Sequence, residues 1–151
     1  MKYFVKTAKV IGIPDRTAQA QIPIVENNEW EFGVQRHDAN QAGKHYDLRL
    51  GNSRAGKAYS WAVRHWPKAG EKRLAVRQPD HTIPYMDWEG EIPKGYGAGK
   101  VRRKYRSKAA IHSASPDKIN FDAEGTKFTM IKTRDNKWLI LNRDKVLDKN
   151  D

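Results

Sequence analysis

Two short runs, Phe32-Gly33-Val34-Gln35-Arg36-His37 and His45-Tyr46-Asp47-Leu48-Arg49-Leu50, separated by residues 38–44, carry the reading of the fold. Successive side chains of a strand point to opposite faces of its sheet. With that period, Phe32, Val34, Tyr46, Leu48 and Leu50 share an apolar face, and Gln35, His37, His45, Asp47 and Arg49 share a polar one. Alternation of this kind describes half-buried antiparallel strands, here expected to pair as a hairpin.

The same texture recurs along the chain. Trp30–His37, His45–Leu50, Ala58–Arg64, Arg73–Arg77, Lys100–Tyr105, Lys127–Lys132 and Lys137–Asn142 read as strands bounded by Gly, Pro, Asn and Asp. Helical periodicity is poor throughout, and 116–119 offers one helical turn at most. The fold expected is all-β: a single-domain antiparallel β-barrel with short helical turns in its connections. An N-terminal arm, 1–29, opens with a strand-like piece (Tyr3, Val5) and a loop with Pro14 and Pro23, ahead of the barrel domain, 30–151.

Composition narrows the function. The chain of 151 residues carries a net charge of +11, which raises affinity for polyanions through counterion release. No basic amphipathic helix and no long apolar span accompanies that charge, so nucleic acid is the expected partner and a membrane is not. The N-terminus is too short in apolar residues to read as a signal peptide, and an intracellular monomer, cytoplasmic or nucleoid-associated, is expected. There is no cysteine, which excludes disulfides, thiol nucleophiles and Cys-ligated metals. A metal would have to sit on His, Asp or Glu.

The polar face of the first hairpin supplies such groups. A solvated face with a cross-strand ion pair is its plain reading. If the strands pair, however, His37 and His45 meet near the turn, with Asp47 one step further in. Two imidazoles and one carboxylate form a facial set suited to Mn²⁺, Fe²⁺ or Zn²⁺. His81 lies between Pro79 and Pro84, in what reads as a shaped loop, where a histidine is either solvated or placed to donate to a phosphate. Gly95-Tyr96-Gly97-Ala98-Gly99-Lys100 lacks the Ser or Thr of a phosphate-binding P-loop and reads as a tight turn feeding a strand. Lys100, Arg102, Arg103, Lys104, Arg106 and Lys108 form a basic run with Tyr105 interleaved, expected to track a nucleic-acid backbone.

These motifs, in this order, resemble the 3′-phosphoesterase module of bacterial DNA ligase D. The resemblance is carried by Gln35-Arg36-His37-Asp38-Ala39, His45-Tyr46-Asp47-Leu48-Arg49-Leu50, Ser60-Trp61-Ala62-Val63 and Arg73-Leu74-Ala75-Val76. It continues through Asp80-His81 with Tyr85, Glu89-Gly90 and Ile92-Pro93-Lys94-Gly95-Tyr96-Gly97-Ala98-Gly99, with Trp138–Leu141 resembling the last strand. It implies metal ligands at His37, His45 and Asp47, a phosphate-binding and catalytic pair at Arg49 and His81, and further site positions at Gln35, Arg73 and Tyr85. It also implies a divalent cofactor, Mn²⁺ first, with Zn²⁺ or Co²⁺ as alternatives. The implied reaction removes a 3′-phosphate, after trimming of a terminal ribonucleoside, to leave a 3′-hydroxyl on DNA or RNA ends. Ligase or polymerase partners would be separate chains. In the arm, Asp15-Arg16 reverses the family's usual Arg-Asp order, so no role is carried over there. Two other readings stand beside this one: a nucleic-acid-binding barrel without catalysis, and an RNA 3′-end phosphodiesterase of the same fold.

Overall fold

A computed structural model describes residues 30–146. The arm, with Asp15 and Arg16, lies outside the described residues. Ten strands form one antiparallel sheet: β1 (Trp30–Ala39), β2 (Gly43–Asn52), β3 (Lys57–Val63), β4 (Lys72–His81), β5 (Gly90–Ile92), β6 (Gly99–Lys108), β7 (Ala110–Ser115), β8 (Lys118–Ala123), β9 (Thr126–Arg134) and β10 (Lys137–Asn142). Their order is β5-β6-β1-β2-β3-β4-β10-β9-β8-β7. A 3₁₀ turn, Ile83–Asp87, is the one helical element among the described residues. None of their helices is long and apolar enough to cross a membrane.

Alternation builds the core. Phe32, Val34, Leu48, Leu50, Tyr59, Trp61 and Val63 are buried on one face of β1–β3, and Ile119, Phe121, Phe128, Met130, Trp138 and Ile140 supply the same from β8–β10. Each fully buried aliphatic or Phe side chain contributes about 1.5–3 kcal/mol through removal from water. The sheet curls over this core. Phe32 on β1 lies 6.0 Å, ring centroid to centroid, from both Phe121 on β8 and Phe128 on β9, strands remote from it in the sheet order. Strand β6 runs almost directly into β7 through Ala109, whose N–H donates to the Trp30 carbonyl. Among the described residues no ladder joins the outer strands β5 and β7, so hydrogen bonding leaves the expected barrel an open, curled sheet.

Three strands escaped the sequence reading. β5 is only three residues long, and β7 mixes polar and apolar residues without clear alternation. Residues 116–119 form no helical turn but the tip of the β7–β8 hairpin and the start of β8, with Ser115 paired to Lys118. Ile119, Phe121 and Ala123 alternate inward from there, a period of two that overrides any helical bias of the turn. The 79–85 segment also differs from expectation. β4 continues past Pro79 to His81 because the β3–β4 register shifts between Ser60↔Gln78 and Ala58↔His81. Such a bulge accommodates a residue that has no N–H to give.

Beyond His81 the 3₁₀ turn folds back across the outer face of the sheet. It is seated by close approach at Gly51, where a Cβ would stand 2.7 Å from the Met86 Sδ. Met86 is fully buried there, on the face opposite the main core. That packing brings Tyr85 and Trp88 over the polar row of β1 and β2.

Candidate active site

The β1–β2 register pairs His37 with His45, Gln35 with Asp47 and Gly33 with Arg49. One ligand atom from each of His37, His45 and Asp47 lies within 4.8 Å of the others. The Nδ1 of His37 is 3.2 Å from Asp47 Oδ2, and the Nε2 of His45 is 3.3 Å from Asp47 Oδ1.

The other nitrogen of each imidazole is committed to a carbonyl. His37 Nε2 donates to the Gly97 carbonyl at 2.6 Å, and His45 Nδ1 donates to the Gly43 carbonyl at 3.2 Å. A carbonyl can only accept, so a neutral imidazole so placed turns its bare nitrogen towards the carboxylate. Lone pairs on two imidazoles and a carboxylate then converge with no proton between them, which a cation resolves. Backbone carbonyls that fix the tautomer of a ligating histidine are a recurrent outer shell of metal sites. Ligand atoms around one such ion stand roughly 3–3.5 Å apart, given bonds of about 2.1 Å. The two imidazole–carboxylate distances match that spacing, and the three residues could hold a divalent cation.

Without a cation, protons between the imidazoles and the carboxylate take its place. Burial would raise the Asp47 pKa, but hydrogen bonds from His37 and His45 and the Arg49 charge hold it well below the usual carboxylate range. Burial works against charge on His45, yet the hydrogen bond and charge of Asp47 and the Gly43 carbonyl raise its pKa. The site presents an anion that attracts positive charge.

Arg49 lies beside it, buried, and two of its nitrogens are structural. Its Nε donates to Gln35 Oε1 and its Nη1 to Ser60 Oγ, each at 2.7 Å. Its Nη2 faces Asp47 Oδ2 at 3.9 Å, and its guanidinium carbon lies 4.9 Å from the Tyr85 ring centroid. Gln35, fully buried, anchors the covering turn by donating to the carbonyls of Tyr85 (2.8 Å) and Trp88 (2.9 Å). Replacing Gln35 with alanine is expected to lower stability by about 1–3 kcal/mol in denaturant unfolding, because the turn loses the amide that ties its Tyr85 and Trp88 carbonyls to the sheet and the buried Arg49 Nε loses its acceptor. The same change should loosen Arg49 and reduce turnover.

His81 stacks on Tyr85 (4.4 Å between centroids), which stacks in turn on Trp88 (5.5 Å). Burial and the Arg49 charge lower the His81 pKa well below its ordinary value, against the opposing pull of Asp47. Burial raises that of Tyr85. Both are therefore neutral near pH 7 and can donate an N–H and an O–H.

The structure thus brings together Gln35, His37, His45, Asp47, Arg49, His81 and Tyr85. Arg73 stands apart. The β3–β4 register places it on the face of Ala75 and Arg77, opposite the polar row, where it pairs with Glu71 at 3.2 Å. The basic run does not stay on one face, because β6 bulges at Lys104. Sequence reading missed Ser60 and the carbonyls of Gly43 and Gly97. Ser60 was within reach, since it sits directly across from Arg49 in the β2–β3 register. A carbonyl has no sequence signature. The 95–100 turn does feed β6, and it also delivers the Gly97 oxygen. Gly99 permits this with φ +148 and a backbone approach that leaves no room for a Cβ: the Asp38 carbonyl would lie 2.1 Å away.

A family model described as the DNA Ligase D 3′-phosphoesterase domain matches residues 35–134. The multifunctional non-homologous end joining protein LigD of Pseudomonas aeruginosa is 49% identical over 73 residues, which cover 46% of this chain and 8% of that protein. Its namesake from Mycolicibacterium smegmatis is 45% identical over 84 residues, 54% of this chain and 10% of that protein. The one from Mycobacterium bovis is 44% identical over 73 residues, 46% and 9% respectively. The matched segment is thus a tenth or less of these relatives' length.

Proposed function

The chain belongs to the DNA ligase D 3′-phosphoesterase family, and on that premise we propose that it is a metal-dependent phosphoesterase that clears 3′-phosphates from nucleic-acid ends, leaving 3′-hydroxyls for end joining. The observation that carries this reading is the pair of imidazoles, each with one nitrogen on a backbone carbonyl and the other aimed at one carboxylate beside a buried guanidinium.

His37, His45 and Asp47 would hold the divalent cation, Mn²⁺ in this reading, which when bound supplies Lewis-acid neutralisation of phosphoryl charge. Arg49 holds a phosphoryl oxygen through Nη2, the nitrogen its structural bonds leave over. Neutral His81 and Tyr85 donate hydrogen bonds to the remaining oxygens and orient the ester. With His81 held neutral in the bare site, its role is that of a donor and not of an imidazolium acid. The 3₁₀ turn, fastened by Gln35, keeps bulk water off one side of the group.

Labelled DNA and RNA strands ending in a 3′-phosphate or a 3′-terminal ribonucleotide, incubated with Mn²⁺ or with EDTA, test the proposal. The expected result is conversion of 3′-phosphate DNA to 3′-hydroxyl with Mn²⁺ and none with EDTA. Undiminished conversion in EDTA would remove the metal from the reading, and no conversion of any end would remove the activity. Turnover of RNA ends alone would favour the RNA phosphodiesterase instead.

A further inference from the structure

Resting on that activity, we infer that the nucleic-acid strand behind the processed 3′ end is held on the opposite face of β1, β2 and β6 from the one bearing His37, His45 and Asp47. The β1–β6 register slips between Val34, which pairs with Tyr105, and Gln35, which pairs with Arg103, so Lys104 is the extra residue. Cross-strand partners project to the same side. Arg103 (opposite Gln35) and Arg106 (opposite Gly33) therefore share the outer face with Asp47 and Arg49. Their charge is spent there. Arg106 pairs with Glu31 at 2.7 Å and Asp87 at 2.9 Å, and Arg103 lies 3.8 Å from Asp87.

Lys108, opposite Glu31, lies on that outer face as well, whereas Lys100, Arg102 and Lys104 face the other way. Arg102 pairs with Arg36, and Arg36 with Tyr46, in one row; Lys100, Asp38 and Lys44 form the next. The Nζ of Lys104 reaches the same side, 5.7 Å from the Tyr46 ring and 5.1 Å from that of Tyr105. In these rows two carboxylates, Asp38 (3.2 Å from Arg36) and Glu91 (paired with Lys100 across β5 and β6), stand against the five cations of Arg36, Lys44, Lys100, Arg102 and Lys104. All five cationic side chains are on exposed residues, next to partly exposed aromatic rings. Cations interleaved with ring faces are what a single-stranded phosphate backbone with stacking bases requires. Arg36 and Tyr46 directly adjoin His37 and His45 in the chain. The two faces therefore meet at the tip of the β1–β2 hairpin, over which a strand with its terminal phosphate at the metal ligands would turn.

The test compares the full chain with an Arg36→Ala/Arg102→Ala/Lys104→Ala variant and with a control, Lys118→Ala/Lys132→Ala/Arg134→Ala, that removes the same charge from exposed positions on β8 and β9. Binding of labelled 3′-phosphate single strands is read by fluorescence anisotropy in EDTA across a salt series, with circular dichroism to verify folding. The first variant is expected to bind about 100-fold more weakly at 0.1 M salt, with the log–log salt slope reduced by about 2, at roughly 0.7 per lost phosphate contact. The control is expected to stay near the parent. Parental affinity and slope in the first variant, or an equal loss in the control, would overturn the inference. Because binding is read without metal, failure of the parent to release phosphate would strike the catalytic reading and leave this result standing.

Discussion

Asp47→Ala is expected to abolish phosphate release from a 3′-phosphate strand while leaving the far-ultraviolet dichroism of the sheet unchanged. Asp47 faces both imidazoles, and its oxygens are the only anionic donors in the cluster. Without them, two bare imidazoles remain to hold the cation. Mn²⁺ affinity, read by calorimetry, should fall by more than the 10- to 100-fold that loss of an outer-shell partner usually costs. The fold tolerates the change because Leu48, on the buried face, does the packing for that stretch of β2. Asp47→Asn keeps the shape and removes the charge, and should fail nearly as badly. Turnover close to the parent in either variant would end the case for these three ligands.

Arg49→Lys should be as inactive as Arg49→Ala, each losing about 100-fold or more in turnover, the usual cost of removing one donor to transition-state charge. An exchange that keeps the positive charge is normally the milder one. Here the guanidinium works through three nitrogens at once: one on Gln35, one on Ser60 and a third towards Asp47 and the proposed phosphate. One ammonium on a flexible stem cannot span those positions. Arg49→Ala should also cost about 1–3 kcal/mol of stability, since the buried Gln35 Oε1 loses its donor. It should further raise the His81 pKa in metal-free protein, followed by imidazole NMR, because a nearby positive charge that lowers that pKa is gone. A lysine variant with parental turnover would show that charge alone suffices.

The hairpin shows how much could be read in advance. A period of two places His37, His45, Asp47 and Arg49 on one side and Leu48 and Leu50 on the other, and the short 38–44 connection allows nothing but antiparallel neighbours. The match of motifs in order supplied His81 and Tyr85, which no periodicity could have tied to β2. Arg73 shows the limit. It lies in a matching motif, yet its parity in β4 turns it to the far face of the sheet. The basic run shows the limit again, since one bulged residue redirects half of it.

The chain's own pattern was enough for strand class, for the sidedness of β1 and β2 and for bringing His37, His45 and Asp47 together as a candidate metal-binding set, because these follow from local geometry that repeats every two residues. Long-range placement had to come from the folded molecule: the carbonyls of Gly43 and Gly97 that orient the imidazoles, the Gln35 and Ser60 bonds that aim Arg49, and the turn seated by Met86 on Gly51. Those depend on which backbone atoms the curled sheet brings within hydrogen-bonding distance, and a backbone carbonyl is the same group in every residue.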